Sequence, residues 1–182
     1  MTAADRAALL VIDMQRGAFD GVRCAPIDEG TALLTTVGRL LHAARTHAVP
    51  VVFVQHLAAE GGVLAEGSPQ AELMPALQRQ DGEPVITNRQ GNAFEATRLG
   101  DVLRASGAQR LVVCGLQSER CVAQTTRAAL GGGYRVTLVR DGHGTWAGAE
   151  EPASAIQARV EAELAALGAT LARADDVIAH WP

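Results

Sequence analysis

The stretch RLVVCGLQSERCVAQTTRAAL, residues 110–130, constrains the chain more than any other. It opens on a continuous apolar run, 111–114, of the kind shown by a strand buried on both faces of a parallel sheet. Gly115 and a short polar turn follow, then a helical pattern over about residues 119–130. A strand, a tight turn and a helix with a cysteine in its first turn gather unpaired backbone N–H groups and the positive end of the helix dipole around that sulfur. Both favour a thiolate over a thiol, so Cys121 is expected to be a reactive cysteine at the start of a helix.

The rest of the chain repeats the alternation. Residues 7–12, AALLVI, form a short apolar strand ending at Asp13, ahead of a loop over 16–28. Leu33, Leu34, Val37, Leu40, Leu41 and Ala44 make a helical stripe through 30–47. Further strands are expected at 51–55, 84–87, 110–114 and 135–139, and a short edge strand at 170–172 ends the regular structure. The helical patterns between them are a short piece at 71–79, a helix over 94–106, and the 119–130 helix stopped by Gly131-Gly132-Gly133. An amphipathic helix over 153–167 follows, with Gly168 behind it. Alternation without internal repeat or linker predicts a single α/β domain over 1–182, a three-layer sandwich around a mostly parallel sheet of about six strands. In such a sheet ligands bind beyond the carboxyl ends of strands, where the strand order reverses. The order 3-2-1-4-5-6 makes strands one and four neighbours and sets Asp13 beside Cys121.

The residues just past strand ends are therefore the candidates: Asp13, Gln55, His56, Asn88, Arg89, the run from Gln117 to Cys121, and Asp141 to His143. Cys114 lies inside a strand and is assigned to packing, and Cys24 lies in a loop without a partner nearby in sequence. Gly131–Gly133 precedes a strand rather than following one, which makes it a helix stop and not a phosphate cradle. His42 and His47 fall on the first long helix, and His56, His143 and His180 are scattered, so no zinc spacing, metal or cofactor is expected. The net charge of −4 offers nucleic acid no basic footprint, and no apolar run approaches the roughly 20 residues that a membrane span needs. The N-terminus, with an acid at position 5, does not read as a secretion signal, and three irregularly spaced cysteines point to a reducing cytoplasm. All positive charge is arginine, because the chain contains no lysine.

Four motifs, LLVIDMQRGAF at 9–19, NAFEATRLGDVL at 92–103, VVCGLQSERCV at 112–122 and GYRVTLVRDGHGTW at 133–146, carry a resemblance that spans nearly the whole chain. The chain resembles the isochorismatase-like cysteine hydrolases, the group that contains nicotinamidases, carbamoyl-amide hydrolases and streptothricin hydrolase. The Gln117-Ser118 and Gln55-His56 pairs look most like the streptothricin-hydrolase side, and the nicotinamidase metal pattern is absent. The resemblance implies an Asp–Lys–Cys site in which Asp13 is the general acid/base and Cys121 the nucleophile that forms an acyl-enzyme. It also implies a cis peptide at Leu116–Gln117 that aims the Gln117 and Cys121 N–H groups at a developing oxyanion, each such donor being worth about 2.7–4 kcal/mol. Substrate is expected to meet Gln15, Phe19, Gln55, His56, Ser118, His143 and Trp146, with Leu57, Val63 and Leu64 making the pocket partly apolar.

The departure is the lysine. Asn88 occupies its position, six residues before Phe94. Arg89 is adjacent and could supply positive charge, but a guanidinium does not give up its proton, and neighbours in an extended segment face opposite ways. The leading expectation is a cytoplasmic, homo-oligomeric (dimeric or tetrameric) hydrolase of a C–N bond in a small amide or lactam. The alternatives are a catalytically silent ligand-binding member of the family, and a vinyl-ether hydrolase of isochorismatase type that uses Asp13 alone as acid.

Overall fold

A computed structural model describes residues 6–181, so position 5 of the N-terminal reading lies outside the described residues. Six strands, β1 (Ala7–Ile12), β2 (Val51–His56), β3 (Val85–Asn88), β4 (Arg110–Leu116), β5 (Arg135–Gly144) and β6 (Thr170–Ala172), form one sheet in the order β3-β2-β1-β4-β5-β6. Every pairing is parallel, so the expected strand order holds and the sheet is wholly rather than mostly parallel. The continuous apolar runs are explained by burial on both faces. In β1, Leu9 and Val11 join one core with Leu33, Leu40 and Leu41 of α1 (Gly30–Thr46) and Val177 of α5 (Ala174–Ala179). Ala8, Leu10 and Ile12 join the opposite core, built with α2 (Leu99–Ser106), α3 (Ala123–Gly131) and α4 (Ala153–Ala166). The result is the α/β three-layer sandwich.

Several elements depart from their sequence pattern, each for a local reason. The helix expected from 94 begins only at Leu99. Asn92 accepts a hydrogen bond from the Phe94 N–H, and Thr97 Oγ1 accepts from the Leu99 N–H while donating to the Ala93 carbonyl. Such side-chain bonds offer the backbone an alternative to the helix. The piece at 71–79 is two single turns, Pro69–Ala71 and Pro75–Leu77, each opened by a proline. The helix expected from 119 begins at Ala123, after an irregular turn Ser118–Val122 in which Arg120 is non-helical. Strand β5 runs on to Gly144 because its pairing with β4 shifts register between Val113 and Gly115 and resumes as Gly115↔His143. Regular structure does not end at β6, since α5 follows and packs on α1.

One glycine decides how closely β1 and β4 approach. Gly115 has φ +121°, and a Cβ there would stand 2.0 Å from the Ile12 carbonyl oxygen. Only glycine fits that conformation and that gap. Beyond it the Leu116–Gln117 peptide is cis, and the chain turns over the carboxyl end of β1.

Candidate active site

Asp13 follows the last residue of β1 with a left-handed backbone (φ 50°), a conformation that aspartate tolerates better than most side chains. Its N–H donates to the Val54 carbonyl at 3.0 Å, which anchors it to β2. The carboxyl is almost wholly buried and hydrogen-bonds the Cys121 thiol, while Oδ1 meets no donor among the described residues. Burial pushes this carboxyl from its ordinary 3.8 up to about 7, against the opposing pull of the Cys121 hydrogen bond and of the His56 backbone.

Cys121 lies in the irregular turn, two residues before α3. Its thiol is pushed well up, first by burial, then by the Asp13 charge and the hydrogen bond to Asp13; Arg120 pulls the other way. The expected helix-start thiolate is therefore corrected. Two buried anions side by side are disfavoured, so the pair retains a proton, and the sulfur rests as a thiol with its acceptor already in place. Of the other cysteines, Cys114 is sealed in β4 with its thiol raised to about 12 by burial, as expected of packing. Cys24 donates to the Gly17 carbonyl at 3.2 Å.

His56 completes the group. A ring nitrogen of His56, the Cys121 sulfur and an Asp13 carboxylate oxygen all lie within 4.8 Å of one another. The β2–β3 register places His56 directly opposite Asn88, and Nδ1 of His56 stands 3.3 Å from Asn88 Oδ1. Gln15 clamps the His56 backbone from both sides: its Oε1 accepts from the His56 N–H at 2.9 Å and its Nε2 donates to the His56 carbonyl at 2.8 Å. Soft sulfur, imidazole nitrogen and carboxylate oxygen form a donor set that suits zinc, at the cost of occupying the nucleophile. Scattered sequence spacing hid this set, because its members come from the ends of three different chain segments.

The remaining candidates divide. Asp13, His56, Leu116, Gln117, Cys121, Leu64 and Trp146 line one cavity of about 320 Å³. Asn88 is buried behind His56, whereas Arg89 points outward to an exposed ion pair with Glu66 at 2.5 Å and supplies no charge to the site. The strand alternation between 88 and 89 is the reason. Gln15 and Gln55 brace the site, both donating to the Ala71 carbonyl, at 2.7 and 2.8 Å, and neither lines this cavity. Ser118 and His143 are likewise buried and share a hydrogen bond of 2.8 Å, with Nε2 of His143 standing 3.5 Å from Glu161. They hold the turn from behind, and His143 borders a different cavity. Phe19 packs against the α1 core.

Arg120, within the candidate run from Gln117 to Cys121, also lines the cavity, and the sequence reading missed Gln124 and Gly91, which line it too. A Cβ at Gly91 would stand 2.5 Å from the Gln124 amide, so the absent side chain there makes room for Gln124. The pattern QSERCVAQ carried a usable signal: Arg120 and Gln124 flank Cys121 at one and three residues.

Comparison with known proteins agrees with the architecture. Residues 7–175 match the Isochorismatase domain model. A streptothricin hydrolase of Streptomyces noursei is 39% identical over 139 residues, which make up 76% of this chain and 50% of that protein. The chain spans about half the length of that relative and of a second streptothricin hydrolase from the same organism. Among solved structures, a protein from Oleispira antarctica described as an isochorismatase hydrolase superposes with a TM-score of 0.89 at 30% identity, covering 98% of this chain and 99% of that one. An isochorismatase from Pseudomonas putida KT2440 gives 0.86 at 33% identity over 94% and 89%.

Proposed function

The chain belongs to the isochorismatase domain family, and on that premise we propose that it is a cysteine-dependent hydrolase of a C–N bond in a small amide or lactam. The observation that carries the reading is the Cys121 sulfur within 4.8 Å of a buried Asp13 carboxylate oxygen, both lining a cavity of about 320 Å³. A carboxyl near neutrality in pKa both accepts and returns a proton at working pH. As the Cys121 sulfur bonds to the carbonyl carbon, its proton passes to Asp13. Asp13 then delivers that proton to the nitrogen as the C–N bond breaks, leaving a thioester and a free amine. Water cleaves the thioester to a carboxylic acid and restores the thiol. Gln117 and Cys121, around the cis peptide, are the residues whose N–H groups would meet the oxyanion.

The test is acid-quenched intact-mass measurement during incubation with a panel of small amides and lactams. The expected result is an acyl adduct mapped to Cys121 and turnover lost in Cys121→Ser. Adducts elsewhere overturn the reading. A second reading draws on the Asp13 value: a carboxyl half protonated at neutral pH can protonate a vinyl ether without the sulfur. Turnover of such a substrate, undiminished in Cys121→Ser, selects it.

A further inference from the structure

We infer that His56, oriented by Asn88, is the third catalytic group of this site and serves as the base that activates water for thioester hydrolysis. The inference rests on the reading of Cys121 as an acylated nucleophile.

The family pattern places a lysine where this chain has Asn88, and no lysine exists elsewhere to replace it. The cations nearby do not fill the role. Arg89 is paired outward with Glu66, and Arg120, whose side chain is mostly exposed, carries a guanidinium that does not exchange its proton. His56 has the required placement, because the β2–β3 register sets it beside the substituted position and a ring nitrogen lies within 4.8 Å of both the sulfur and the carboxylate. Its main chain is held on both sides by Gln15, so the ring projects from a fixed base. Asn88 orients the ring. The Asn88 side chain stands 3.3 Å from Nδ1, a contact that fixes the ring orientation from the β3 side.

A division of labour follows. Asp13, bonded to the thiol, handles the proton of the acylation half. Once the amine has left, the His56 ring nitrogen that faces the sulfur takes a proton from water as the new C–O bond forms. It returns that proton to the sulfur as the C–S bond breaks, giving acid, thiol and neutral imidazole. The charged and titratable groups around the ring are Asp13 from the end of β1, and Cys121 and Arg120 from the turn after β4; from β3 it faces the neutral Asn88.

The experiment uses p-nitrophenyl acetate as an activated acyl donor, with the burst of nitrophenolate reading acylation, the steady state reading deacylation, and peptide mapping locating the acetyl group. In His56→Gln the burst on Cys121 is expected to persist while deacylation falls about 10²-fold or more, the usual worth of a positioned base, so that acetyl-enzyme accumulates. Added imidazole is expected to restore part of the lost step. Asn88→Ala, which removes the group that orients the ring, is expected to slow deacylation more than acylation. Deacylation at the wild-type rate in His56→Gln, or an equal loss of both steps without imidazole rescue, overturns the assignment and leaves Cys121 acylation standing. Absence of any acetyl group on Cys121 in the wild-type protein overturns both.

Discussion

Asp13→Asn separates the two demands that the site places on the fold. Burial holds the carboxyl at about 7 against an ordinary 3.8. The folded protein therefore keeps a proton that the unfolded chain releases, and wild-type stability falls as pH rises from about 4 through about 7. That shift is worth about 4 kcal/mol in full; between about pH 4.5 and about pH 8.5 the part that changes is about 3 kcal/mol. Asparagine has no such dependence, keeps an acceptor oxygen for the Cys121 thiol, and occupies the left-handed backbone at φ 50° without added strain. Expected, then, is a variant about 3 kcal/mol more stable relative to wild type at the higher pH than at the lower, a Tm difference that widens by about 6–12 °C for a chain of this size. Acylation of Cys121 should be lost in the same variant. Denaturant melts of both proteins at the two pH values measure it, and titrating groups that do not interact with Asp13 cancel in the comparison, which leaves Cys121 as the one coupled neighbour. A wild-type-to-variant difference that does not change with pH refutes the argument, because the carboxyl would then be ionised as in the unfolded chain and unfit to shuttle a proton near neutrality.

Three further outcomes follow from the geometry. Gly115→Ala should destabilise by at least about 3 kcal/mol in denaturant melts, since its Cβ would stand 2.0 Å from the Ile12 carbonyl at a positive φ; a cost below about 1 kcal/mol would mean that the β1–β4 approach relaxes freely. Arg89→Ala should leave acylation and deacylation rates unchanged and alter stability by no more than about 0.5 kcal/mol, as an exposed ion pair does, and a large kinetic loss would return the arginine to the site. Zinc should block acylation of Cys121 more tightly at higher pH, because binding displaces the thiol proton, and His56→Gln should weaken that block by at least about tenfold. Inhibition that ignores both pH and the variant would place the ion elsewhere.

The architecture was legible because the signals behind it are collective. Runs such as 7–12 and 111–114 are apolar on both faces, and a wholly parallel sheet covered on both sides is what accommodates them. Boundaries were less legible wherever a single side chain competed with the backbone. Thr97 delays α2, prolines at 69 and 75 cut a helical pattern into turns, and the register shift beside Gly115 carries β5 five residues past its apolar run. The direction of the Cys121 shift was misread for a related reason. A dipole argument counts only the helix, but the helix starts two residues later and a buried carboxylate sits against the sulfur.

The third group proposed for the site could not be found by position, since asparagine stands where the resemblance implies a lysine. It becomes visible only through register. Strand ends that lie side by side in a parallel sheet present their side chains to the same space, so a function lost at the end of β3 can be supplied from the end of β2 without moving the backbone. His56 and Asn88 are 32 residues apart in sequence and directly paired in the sheet. On this proposal the asparagine orients the imidazole. An acyl-enzyme that accumulates in His56→Gln while the burst on Cys121 persists is the kinetic signature of this arrangement, because a group that only braced the fold would slow both steps alike.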